Sequence, residues 1–159
     1  MQNNYIIRKA EYKDIQEIQK LSQRLVEYCS KLCKSKYMGN LNWSFSKDGK
    51  DNFEEYIEKH IIYVAEIENK IVGYMCGKII QPDCWRTYNS MELVNLFVME
   101  EYRNMGIGTE FVNLFKKKCK ENNINTIKIY TLCDNEKAMD FYKKNGAYCY
   151  DTLMFCNLD

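Results

Sequence analysis

One stretch constrains this chain more than any other: Leu96-Phe97-Val98-Met99-Glu100-Glu101-Tyr102-Arg103-Asn104-Met105-Gly106-Ile107-Gly108-Thr109. An apolar strand runs into a turn holding two glycines, and the turn opens a helix. Such a junction offers free backbone N–H groups and a positive helix end to an anion. Glycine lets the backbone approach phosphate oxygens with no Cβ in the way. A phosphate-bearing ligand is therefore expected. A Walker-A loop is excluded, because Gly108 is followed by Thr109-Glu110 rather than Lys-Ser/Thr. The dinucleotide fingerprint is excluded because its third glycine falls on Phe111. A plain turn that starts a helix carries the same two glycines, so Gly-x-Gly alone leaves both readings open.

The rest of the chain alternates strand and helix periods. Tyr5–Arg8 is β-favouring. Ile15, Ile18, Leu21, Leu25, Tyr28, Cys29 and Leu32 recur at helical steps after Asp14, in a helix expected to be broken or bent along its length. Residues 34–49 read as a polar loop anchored by Trp43 and Phe45, and helical spacing returns at Asn52–Ile61. Ile62–Ile67 and Lys70–Gly77 flank Glu68-Asn69 as a hairpin. Gln81–Ser90 is a loop, Met91–Val98 a strand, Ile107–Glu121 a helix, Thr126–Leu132 a strand and Asn135–Lys144 a helix. Asn145-Gly146 is the helix stop. Tyr148–Cys156 reads as the strand that ends the sheet. This order predicts a mixed α/β class, with helices on both faces of one sheet. The 159 residues have room for one domain, 1–159.

Composition narrows the function. Lys+Arg 23 against Asp+Glu 22 lacks the basic excess of nucleic-acid domains. No apolar run is long enough to span a membrane, and no signal region follows Met1, so a cytoplasmic location is expected. Eight cysteines include no C-x-x-C pair, and they read as reduced thiols, mostly small core residues. No metal site is expected. His60, the one histidine, ends an amphipathic helix and reads as a C-terminal cap.

Wider context adds weight to the glycine turn. Arg103-Asn104-Met105-Gly106-Ile107-Gly108 after an apolar strand resembles the pyrophosphate motif of the GNAT superfamily, the acetyl-CoA-dependent N-acetyltransferases. Downstream, Asn135-Glu136-Lys137-Ala138-Met139-Asp140-Phe141-Tyr142-Lys143-Lys144-Asn145-Gly146-Ala147 is similar to that superfamily's Asn-x-x-Ala-x-x-Phe-Tyr-x-x-x-Gly segment. The likeness covers roughly residues 60–150. It implies a single central, mostly antiparallel, splayed sheet of six to seven strands. It also implies acetyl-CoA as co-substrate, an amine acceptor and a homodimer.

Residue by residue, the resemblance assigns backbone hydrogen bonds to the pantetheine arm to Leu96, Phe97 and Val98. The N–H groups of Arg103, Asn104, Met105, Gly106, Ile107, Gly108 and Thr109 would take the pyrophosphate. Ala138 and Phe141 would face the pantetheine, Asn135 would hydrogen-bond it, and Lys144 would reach the phosphates. The run Lys116-Lys117-Lys118 reads as a solvated helix face. Direct attack of a neutral amine on the thioester sets three tasks: a base, an oxyanion donor and a proton for the leaving thiolate. Tyr142 is the candidate donor to the thiolate and Glu92 the candidate base, with water as the alternative. Strand alternation puts Glu92 on one face with Val94 and Leu96. Asn95 cannot act as a base, and a backbone N–H near Phe97 or Val98 serves the oxyanion.

The acceptor is expected to be a small amine, with a peptide or protein amine as the alternative. Trp43, Phe45, Trp85 and Tyr88 are candidate pocket walls, and Glu54, Glu55 and Asp83 candidate attractants for a cation. A competing class is a non-catalytic acetyl-CoA sensor or interaction module.

Overall fold

The structure, a computed structural model, describes residues 4–33, 40–84 and 87–154. Among the described residues, nine principal elements follow in order: β1 (Ile6–Lys9), α1 (Ile15–Leu32), α2 (Lys47–Lys59), β2 (Ile61–Ile67), β3 (Lys70–Ile80), β4 (Ser90–Val98), α3 (Ile107–Glu121), β5 (Ile127–Ile129) and α4 (Glu136–Lys144). The strands form one sheet in the order β1-β2-β3-β4-β5. The first three pairings are antiparallel and the last is parallel.

Helices cover both faces. On one, α1 and α2 pack on β3, with Phe53 meeting Tyr74 edge-on at 6.4 Å. On the other, α3 packs so closely that a Cβ on Gly77 would lie 2.3 Å from the Phe115 ring. Ile18, Phe53, Ile62, Val64, Tyr74, Met75, Phe111 and Phe115 are buried at the centre of these layers.

Several expectations need correction. The first helix is continuous from Ile15 to Leu32, without the expected break, and Ile15, Ile18 and Leu21 anchor its first half in the core. The second helix starts at Lys47 rather than Asn52. Ser46 caps it by accepting from the Gly49 N–H at 3.1 Å, and Gly49 is buried so tightly that a Cβ on it would lie 2.2 Å from the Trp43 carbonyl. The serine and glycine that suggest a loop are the parts of this tight helix start.

Among the described residues the sheet has five strands, not six to seven. β5 is three residues long, against the expected Thr126–Leu132. Residues 148–154 form no strand, and Tyr148, Tyr150, Leu153 and Met154 are 80–85% exposed. Phe155 and Cys156 lie outside the described residues. The reason begins in β4. The ladder pairs Cys76 with Asn95 but Gly77 with Leu93, which leaves Val94 as a bulge. A bulge bends its strand, and β5 loses β4 at Leu93↔Ile129, the residue before the bulge. Past that point β5 has no described neighbour to extend along, and Tyr130 is 71% exposed. Strand propensity at 148–154 without a ladder to join does not make a strand.

Candidate active site

The splay leaves a slot. Asn95–Val98 of β4 pair with β3 on one side, and on the other have no described strand beside them. The strand continues through Met99, whose N–H donates to the Val72 carbonyl at 2.9 Å, into a 3₁₀ turn at Glu100–Tyr102. Asn104 (φ 64°) and Gly106 (φ 89°) then adopt left-handed backbone, and α3 starts at Ile107. At Gly106 a side chain would be strained, which explains that glycine by conformation. Gly108 has a different reason: a Cβ there would lie 3.2 Å from the Phe141 ring. The second glycine thus lets α4 close over the helix start, a contact that the one-dimensional motif does not reveal.

Arg103 contributes more than its backbone. Its Nε donates to the Val98 carbonyl at 3.0 Å. Its guanidinium lies 5.6 Å from the Tyr28 ring and 5.8 Å from the Phe97 ring. The side chain thus turns back onto the end of β4 and braces it against α1. A cavity of about 220 Å³ opens there, walled by Arg24, Tyr28, Phe97 and Arg103.

On α4, Asn135 is buried and caps the helix, its Oδ1 accepting from the Ala138 N–H at 3.2 Å. That cap occupies the side-chain oxygen. Phe141 packs towards Leu96 and Gly108. Tyr142 packs on the core beside Phe141, their rings 5.2 Å apart. Burial first, and the neighbouring Cys29 thiol second, push its phenol up to about 12. Tyr142 thus reaches across to α1. Cys29 and Tyr28 were not singled out for the site by their sequence pattern. Their helical spacing marks an inward face but not which helix that face meets. Lys144 is exposed at the last turn of α4. Lys116 leaves the expected solvated run to donate to the Asn145 carbonyl at 2.6 Å.

The bulge re-aims Glu92. Cross-strand partners share a face, and Glu92 pairs with Lys78, while Asn95 and Phe97 pair with Cys76 and Tyr74. Glu92 therefore shares the α1/α2 face with Asn95 and Phe97, not with Val94 and Leu96 as strict alternation predicts. Tyr56 of α2 senses its charge, and Asn95 approaches the buried Tyr74 hydroxyl. Leu96, where the slot is open, lies four residues further, roughly 13 Å along an ideal strand.

Trp43 is half-buried against Phe53, centroids 6.1 Å apart, while Phe45 and Tyr88 are exposed. Trp85 lies outside the described residues. Glu54 and Glu55 face Lys50 and Lys59 on their own helix, each at 3.5 Å. His60 caps α2 with its ring against Tyr56. Among the described residues every cysteine is a free thiol, and no group of three His, Cys, Asp or Glu could hold a metal ion. No described helix is long and apolar enough to cross a membrane.

Comparison with known proteins agrees with this geometry. Among curated relatives, the N-alpha-acetyltransferase of Sulfurisphaera tokodaii is 29% identical over 106 residues, covering 59% of this chain and 61% of that protein. The chain spans about half to three fifths of the length of the curated relatives it matches. Among solved structures, a tetramutant of the BH1408 protein from Bacillus halodurans has a TM-score of 0.83 at 24% identity, covering 96% of this chain and 99% of that one. A predicted acetyltransferase from Clostridium acetobutylicum, solved with acetyl-CoA, has a TM-score of 0.76 at 21% identity, covering 97% and 96%. The Acetyltransferase (GNAT) family matches residues 19–147, and with most of its length inside that match the chain belongs to this family.

Proposed function

We propose that this chain transfers the acetyl group of acetyl-CoA to a primary amine by direct attack in a ternary complex. One observation carries the reading: the half of β4 with an open side leads, through one 3₁₀ turn, into the left-handed Gly106 and the start of α3. An extended amide-bearing arm can add to such an edge as a strand would, and a diphosphate suits the helix start beyond it. On this reading Leu96, Phe97 and Val98 pair with the pantetheine amides through their backbone. The N–H groups of Arg103 through Thr109 take the pyrophosphate. Ala138 and Phe141 wall the arm, Asn135 offers Nδ2, and Lys144 reaches towards the phosphates.

Three residues or groups share the chemistry. Tyr142, neutral far above physiological pH, donates a proton to the departing thiolate. A backbone N–H near Phe97 or Val98 donates to the oxyanion as charge develops there. Glu92 accepts the ammonium proton through water, since it stands back from the open half of β4 along the strand. The acceptor is a small-molecule amine. A peptide α-amine is the second reading, favoured by the N-alpha-acetyltransferase of Sulfurisphaera tokodaii among the relatives. A homodimer forms part of the proposal, by family resemblance.

The test is an acceptor panel of polyamines, amino acids, aminoglycosides and short peptides, with the acetylated product weighed by mass spectrometry. Turnover of a small amine supports the first reading, and turnover of peptides alone replaces it with the second. Acetyl-CoA binding without turnover of any acceptor, in wild type and Tyr142→Phe alike, would leave a sensor. Light scattering giving the 19.0 kDa monomer mass would remove the dimer.

A further inference from the structure

Tyr5 stands just before β1 and is 9% exposed. Its hydroxyl donates to Glu110 Oε2 at 2.6 Å, across 105 positions of sequence. The same hydroxyl lies 3.5 Å from the point where a Cβ on Gly106 would sit. Glu110 is in the first turn of α3, and its N–H donates to the Gly106 carbonyl at 3.0 Å. A phenol just ahead of the first strand, a carboxylate and the left-handed glycine of the helix start therefore meet at one point.

Glu110 poses a problem for an anion site. Helical side chains lean towards the N-terminus, so this carboxylate leans towards the positive helix end that a phosphate would use. A free carboxylate would both occupy those N–H groups and repel a diphosphate. A neutral hydroxyl donor beside Gly106 restrains it. Tyr5 stays neutral for that task, because burial first, then the hydrogen bond and charge of Glu110, push its phenol up to about 12.

We propose that Tyr5 is a positioning residue that latches the Glu110 carboxylate against the first strand and keeps the helix start open to the cofactor's phosphates. This rests on the assignment of Arg103–Thr109 as the pyrophosphate cradle. The latch acts on charge, and this separates it from a simple brace between β1 and α3.

The experiment is calorimetric titration of acetyl-CoA into wild type, Tyr5→Phe, Tyr5→Phe with Glu110→Gln, Glu110→Asp and Glu110→Gln. Tyr5→Phe should weaken binding on the order of tenfold, about 1.4 kcal/mol, and the loss should shrink as salt is raised. Adding Glu110→Gln to Tyr5→Phe should restore wild-type affinity, because the freed side chain no longer carries charge. Glu110→Asp, too short for the phenol yet still charged, should bind weakly, while Glu110→Gln should bind as the wild type does. Equal losses in Glu110→Asp and Glu110→Gln, or a double variant as weak as Tyr5→Phe, would mean a structural brace and overturn the latch. The Glu110 pair decides the matter even where Tyr5→Phe unfolds. No binding by the folded wild type would overturn the cradle itself, and the latch with it.

Discussion

Tyr142 and Gly108 carry the predictions that belong to single residues. Tyr142 is kept protonated by burial and by Cys29, at about 12, so it is a donor across the physiological range. Tyr142→Phe should lower kcat by about 10²-fold while acetyl-CoA binding persists, as steady-state rates and titration would show. The wild-type rate should hold through pH 10 and fall only towards 12. Stability follows the same sign. The folded-state value lies above the unfolded value near 10, so the contribution is complete below pH 10 and lost as pH rises through about 12. Gly108→Ala puts a methyl 3.2 Å from the Phe141 ring. It should cost about 1–3 kcal/mol in urea unfolding and displace α4 from the slot, raising the KM for acetyl-CoA.

Among the elements, the β1–α1 corner is tied by charge and β4 is shaped by its bulge. Arg8 donates to Asp14 Oδ2 at 2.7 Å and Oδ1 at 3.0 Å, and its Nε donates to Glu66 Oε2 at 2.8 Å. Burial pushes the Asp14 carboxyl up, but the Arg8 hydrogen bonds and the Glu11 N–H outweigh it and hold the group below its usual range. Its folded-state value is depressed, so the stability is present above the unfolded value near 3.9 and lost as pH falls below it. Arg8→Ala strands a carboxylate whose side chain is 4% exposed. The loss should be about 3 kcal/mol, measured by denaturation at pH 7, and smaller at pH 3. In β4, the bulge at Val94 separates the strand from β5 and turns Glu92 to the α1/α2 face. One inserted residue thus opens the slot proposed for the cofactor and aims the candidate base.

At the scale of the whole molecule, the proposed cofactor touches β4, the α3 start and α4, which otherwise meet mainly through side chains such as Phe141. Acetyl-CoA should therefore stabilise the fold as a unit. At about 100 times its dissociation constant it adds roughly 2.7 kcal/mol, or roughly 5–10 °C in melting temperature for a chain of this size. Thermal scans with ATP and NAD as controls check this. A shift with either nucleotide and none with acetyl-CoA would return the glycine turn to a different phosphate ligand.

By itself the sequence determined the alternation of elements, the glycine turn and the downstream Asn135–Ala147 motif, because these are local. Hydrophobic period, turn residues and helix caps act over a few positions, and Ile15–Leu32, the 62–77 hairpin and the Asn135 cap are legible from neighbours in the chain. It did not determine the end of the sheet, the start of α2 or the face of Glu92. The start of α2 rests on a local cap, Ser46 accepting from the Gly49 N–H, built of residues that also suit a loop. The sheet end and the Glu92 face depend on partners distant in sequence: a bulge defined only against β3 and a strand left without a ladder. The same holds for Tyr5 on Glu110, Cys29 beside Tyr142 and Phe141 over Gly108. Only the tertiary structure decided these contacts, since each joins surfaces whose meeting depends on how whole helices and strands pack.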